Sequence, residues 1–124
     1  MQGIGEAELP RLRHHIAAAL RYGGGTITLE DIEAGVRAGK YQLWAGHDSV
    51  LVTEIAEFPR QLALHFCWAG GHLEELEAMV PTVLAWGKMK GCTRARFVGR
   101  EGWQRTFVKR LGWAVTGIQM ETNL

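Results

Sequence analysis

The sequence predicts one α/β domain built around a mixed sheet, with elements in the order ααβββαβαβ. Two apolar helical stripes come first. Three β-rich segments then follow at short turns, the pattern of a meander. Finally, helix, strand, helix and strand alternate, as parallel βα units require. The 124 residues amount to about one domain, assigned to 1–124, and 47% of them are hydrophobic, enough to build a core.

Pro10 suits the first helical position, and Leu12, Ile16 and Leu20 recur at spacing four as an apolar stripe. Gly23-Gly24-Gly25 ends that helix. No GK[ST] follows, so the glycines read as a joint and not as a phosphate loop. Thr28 is a fitting N-cap, with Asp31 in the capping-box position. Leu29, Ile32 and Val36 form the face of a second helix, and Gly39 stops it. Tyr41 to Ala45 is the first strand, with Tyr41 and Leu43 on one side and Gln42 and Trp44 on the other.

Gly46-His47-Asp48-Ser49 is a turn, and Val50 to Ile55 is the second strand. Phe58-Pro59-Arg60 turns the chain again. Gln61 to Trp68 alternates, predicting Leu62, Leu64, Phe66 and Trp68 on one face and Ala63, His65 and Cys67 on the other. Both faces are apolar, which places this strand centrally. A helix from His72 to Lys90 presents Leu73, Leu76, Val80 and Val83, and Pro81 predicts a kink or a break within it. Thr93 to Val98 is a strand. Glu101 to Leu111 is a short helix packed through Trp103, Phe107 and Leu111, with Gly112 as its C-cap. Trp113 to Met120 is expected to close the sheet as a final strand.

Formal net charge is +1, so bulk charge implies no polyanion partner. Its distribution is uneven: Lys88 to Arg110 holds eight basic residues against Glu101 alone, while acids gather at Glu30-Asp31-Glu33 and Glu74-Glu75-Glu77. Nucleic acid is not expected as a specific partner, since no recognised module accompanies the basic half. No apolar run is long enough to span a bilayer, and the opening residues lack the layout of a signal peptide. Cys67 and Cys92 lie in apolar segments and read as buried free thiols. His14-His15 and His47 are scattered along the chain, so no metal site is expected.

The element order, together with Arg110-Leu111-Gly112-Trp113 after a short amphipathic helix, resembles the GNAT N-acetyltransferase superfamily, whose last helix and strand commonly read Tyr-x-x-x-Gly-Phe. Three further stretches resemble small GNAT-like proteins of tailed bacteriophages, among them an internal virion protein. They are Ala38 to Trp44, Trp68 to Leu76, and Gly99-Arg100-Glu101-Gly102-Trp103. The resemblance implies a GNAT-like mixed sheet flanked by helices, in a virion or in host cytoplasm, without a secretion signal.

It also implies where an enzyme would keep its machinery. Family members hold the acetyl-CoA pyrophosphate on backbone N–H groups at the start of the central helix, after a stretch like Arg/Gln-x-x-Gly-x-Gly/Ala. Here the stretch is Trp68-Ala69-Gly70-Gly71-His72-Leu73: Gly70 and Gly71 are the cofactor-binding candidates, the leading Arg/Gln is missing, and Glu74 and Glu75 in the first turn would repel a pyrophosphate. The family's general acid, a Tyr four residues before the glycine of the last helix, falls on Val108, which has no proton to give. Tyr22 and Tyr41 lie far earlier. Candidate general bases are Glu54, Glu57, His65 and His72. Ser49, the single serine, stands beside Asp48 and near His47, but neighbouring side chains diverge and make no triad.

The expected function is therefore that of a noncatalytic GNAT-fold interaction or structural protein, virion-associated, with no cofactor. Its partners would be other virion proteins or further copies of itself. Arg100 and Trp103 are the candidate interaction residues, the first as a fork for carboxylate or phosphate, the second as an aromatic anchor. The alternative is a divergent acetyl-CoA-dependent N-acyltransferase.

Overall fold

A computed structural model describes residues 4–21 and 25–124. Tyr22 and the first two glycines of the Gly23-Gly24-Gly25 joint lie outside the described residues. A 3-10 turn at Glu6–Glu8 leads into α1 (Leu9–Leu20), with Pro10 in its first turn as expected, and α2 spans Leu29–Arg37. The capping box forms: Thr28 Oγ1 accepts from the Asp31 amide at 3.2 Å, and Asp31 accepts from the Thr28 amide at 2.9 Å. Each bond satisfies a backbone donor that the first turn would otherwise leave unpaired.

The sheet has the order β1-β2-β3-β4, from β1 (Tyr41–Ala45), β2 (Ser49–Phe58), β3 (Gln61–Gly71) and β4 (Cys92–Phe97). The first three strands are an antiparallel meander, and β4 runs parallel to β3 after the crossover helix α3 (Leu73–Met89). One core lies between α1, α2 and the face carrying Tyr41, Leu43, Val50 and Val52. A second lies under α3 and joins Leu51, Leu64 and Phe66 to Leu76, Val80 and Val83.

The alternation read along β3 holds only as far as Phe66. Thr53 pairs with Phe66 but Val52 pairs with Trp68, so Cys67 is an extra residue opposite no partner. Such a bulge reverses the parity of everything after it. Trp68 consequently leaves the Leu64/Phe66 face and packs edge-on against Tyr41, with ring centres 5.7 Å apart, on the α1/α2 side. Ala69 takes its place toward α3.

Four other expectations change. Pro81 neither splits nor ends α3, because it sits on the solvent side of a helix whose opposite face is anchored by Val80, Val83 and Gly87. Leu73 is exposed and not part of the inner face. At the C-terminal end, a 3-10 turn (Glu101–Trp103) and a π-type turn (Arg105–Arg110) replace the expected short α-helix, while Trp103, Phe107 and Leu111 still pack inward. The expected last strand from Trp113 to Met120 joins no ladder among the described residues. Trp113 is packed, but Val115, Ile118 and Met120 are exposed, so alternation alone supplies no buried face to hold the segment on the sheet.

Candidate functional site

The β1–β2 turn and the start of α3 meet because β2 and β3 form one long hairpin. Ser49 at the beginning of β2 pairs with Gly71 at the end of β3. The turn residues just before Ser49 therefore lie beside the residues just after Gly71. Ser49 Oγ accepts from the His72 amide at 2.8 Å. Glu75, in the first turn of α3, accepts from the amides of His47 and Asp48 at 2.7 and 2.9 Å. Hydrogen bonding within this group, first from Ser49 and then from the Asp48 amide, holds the Glu75 carboxyl below its ordinary value.

From the other side, α1 contributes its histidines. His15 Nε2 lies 2.8 Å from Asp48 Oδ1, and His72 Nε2 lies 2.8 Å from Asp48 Oδ2. One carboxylate thus ties α1, the turn and α3 together. These two bonds, His15's first, depress the Asp48 pKa to about 2. The His14 and His15 rings lie 4.0 Å apart. Arg11 donates to the Gly46 and His47 carbonyls and fixes the turn from above. Together these groups border an open cavity of about 660 Å³, into which His14, His47, Asp48, His72, Glu74 and Glu75 face. The histidines at 14, 15, 47 and 72, scattered in sequence, thus meet at one place. The register of the β2–β3 hairpin is the signal that could have located His72 beside Asp48.

Gly70 and Gly71, the glycines expected to cradle a cofactor, are both closely packed. A Cβ on Gly70 would stand 2.7 Å from the His15 carbonyl oxygen, so the close approach of α1 requires the glycine. Gly71 has φ +113°, and a Cβ there would lie 2.5 Å from the Asp48 carbonyl oxygen and from Ser49.

Pairing between β3 and β4 ends at Phe66 and Phe97. β4 ends there while β3 runs on to Gly71, and aromatic rings gather in the core under α3. Phe107 stands 4.8 Å from Phe97, 4.7 Å from Trp113 and 6.2 Å from Phe66, ring centre to ring centre, and Trp103 caps Phe97 at 5.7 Å. Tilted and edge-to-face contacts of this kind add to the burial of the rings themselves.

Solved structures superpose over nearly the whole chain. The aminoglycoside N-acetyltransferase AAC(6')-Iy in complex with CoA superposes with TM-score 0.72 at 12% identity, covering 99% of this chain and 92% of that one. The chain carries a GNAT-type fold. An aminoglycoside acetyltransferase from an uncultured soil metagenomic sample, in complex with sisomicin, gives TM-score 0.69 at 9% identity, covering 96% and 91%. A transcriptional regulator from Bacillus halodurans gives 0.68 at 13%, covering 99% and 97%. No protein-family model matches the sequence, and no curated protein matches it.

Within this GNAT-type fold, the remaining site candidates separate. Glu54 and His65 are cross-strand partners on β2 and β3, both half-buried. Burial, followed by the charge of Arg96, lowers the His65 pKa, and its Nδ1 is buried with no hydrogen-bond partner. Glu57 is exposed near the far end of β2. His72 is exposed at the start of α3, away from the Glu54–His65 pair along β3. The bases proposed from sequence therefore do not converge on one point. Val108 is half-buried in the π-type turn and offers no proton. Trp103 gives its ring to the aromatic cluster, while Arg100 is exposed at the start of the 3-10 turn. Burial pushes the Cys67 and Cys92 thiols up, and both cysteines are free. No helix among the described residues is long and apolar enough to cross a membrane.

Proposed function

We propose that this chain is a noncatalytic member of the GNAT-fold class that acts by association, with further copies of itself or with other virion proteins as partners. The observation that carries this reading is the condition of the cofactor region. The acetyl-CoA pyrophosphate would have to meet Glu74 and Glu75, where one guanidinium, Arg11, faces three carboxylates. Gly70 and Gly71 are pressed against the chain's own backbone, and the His72 amide is taken by Ser49. The residues present do not fit the cofactor.

Two features support association. The segment after Trp113 exposes Ile118 at 82% and Met120 at 86%, an apolar and β-patterned stretch without a ladder partner among the described residues. The resemblance to small phage proteins supports a particle as the setting. The alternative, a divergent N-acyltransferase, is favoured by one specific likeness, the CoA complex of AAC(6')-Iy.

A turnover assay separates the two. The purified chain, supplied with acetyl-CoA and a panel of primary amines including an aminoglycoside, is expected to release CoA no faster than buffer. Amine-dependent release of CoA would overturn the noncatalytic reading.

A further inference from the structure

We propose that His14, His15 and Asp48 form a binding site for a divalent transition-metal cation of the zinc class. The ligand atoms that these three residues offer all lie within 4.8 Å of one another. Donors around a tetrahedral cation at bond lengths of roughly 2.0–2.2 Å stand about 3.4 Å apart. Binding therefore requires the side chains to rotate so that the ligand atoms close up.

The donor set selects the metal. Two imidazoles and one carboxylate suit Zn²⁺, Co²⁺, Ni²⁺ or Cu²⁺, whereas Mg²⁺ and Ca²⁺ favour oxygen alone. The carboxylate is already aimed: His72 holds Oδ2 while Oδ1 faces His15. Such an outer hydrogen bond commonly orients a ligating carboxylate. His15 and Asp48 are half-buried, and His14 is exposed beside the open cavity, which gives a cation an entry path. The surrounding charge helps as well. The excess of Asp48, Glu74 and Glu75 over Arg11, which repels a pyrophosphate, attracts a cation. Metal binding takes the His15 tautomer with its proton on Nδ1, so that the Nε2 lone pair faces the cation in place of the hydrogen bond to Asp48. Three protein ligands leave a position for water, as in open zinc sites.

The site is independent of the noncatalytic reading, and its test uses no acetyl-CoA. The untagged chain would be titrated calorimetrically with Zn²⁺, and Co²⁺ binding followed by its visible absorption. One equivalent should bind saturably, and Co²⁺ should develop the intense bands of a low-coordinate imidazole site. His14→Gln removes an exposed side chain, so folding is kept; its affinity should fall at least tenfold. Asp48→Asn should fall similarly, with retention of fold checked by circular dichroism. His47→Gln, which alters a cavity histidine outside the ligand set, should bind as the parent does. The proposal is overturned by absence of saturable binding at millimolar Zn²⁺ and Co²⁺. It is equally overturned by full affinity in either ligand variant, or by a loss in His47→Gln as large as that in His14→Gln.

Discussion

His15 Nε2 stands 2.8 Å from Asp48 Oδ1, joining α1 to the β1–β2 turn across 33 positions of sequence. The Asp48 carboxyl titrates near 2 in the folded chain, below its ordinary 3.8. A depressed carboxyl contributes stability that is present above 3.8 and disappears as pH falls through about 2. Urea midpoints measured from pH 5 down to the acid limit should therefore drop more steeply for the parent than for Asp48→Asn. Parallel acid arms would show that the pair does not bias folding.

His65 makes the opposite kind of contribution. Its pKa is lowered by burial and by Arg96, so the folded state prefers the neutral ring. The unfolded chain takes up a proton near 6.5 while the folded chain does not, and stability is lost as pH falls from 6.5 toward the lowered value. His65→Gln should remove that part of the slope in thermal melts taken between pH 8 and pH 5.

Gly71→Ala should cost roughly 2 kcal/mol or more, since the left-handed φ and the contact with the Asp48 backbone both resist a side chain. The loss should appear as a lower urea midpoint with unchanged m-value. It also makes this position unsuitable for probing cofactor binding, because folding and binding would fail together.

Phe107→Ala should destabilise by about 3–5 kcal/mol. The ring is 6% exposed and sits among Phe66, Phe97, Trp103 and Trp113. Trp emission should shift to the red in the folded variant, as Trp103 and Trp113 gain access to water.

Thr28→Ala removes one half of the capping box and should cost about 1 kcal/mol. Replacement by Ser should recover most of it, which separates the cap from side-chain packing.

Much of the architecture was legible because it rests on local rules. The capping box at Thr28 and Asp31, the glycines that end α2 and α3, and the meander of strands all follow from residue type and period. Trp68 was misplaced because alternation assumes one residue per rung, and the extra residue at Cys67 leaves no mark in composition. The segment after Trp113 alternates like a strand, yet a ladder needs a buried face as well as a period. The site was legible only in part. Gly70 and Gly71 stand out in the sequence as a pair before a helix, but their close neighbours, the His15 carbonyl and Ser49, come from elements distant in sequence. The histidine cluster was hidden for the same reason, since His14, His15 and Asp48 meet only when α1 lies against the hairpin.

The noncatalytic reading turns on whether the cofactor region accepts acetyl-CoA. Calorimetric titration of the purified chain with acetyl-CoA, and then with CoA, measures this directly. No saturable heat and no thermal stabilisation are expected at millimolar cofactor. Saturable binding in the micromolar range would contradict the noncatalytic reading and return the chain to the acyltransferases.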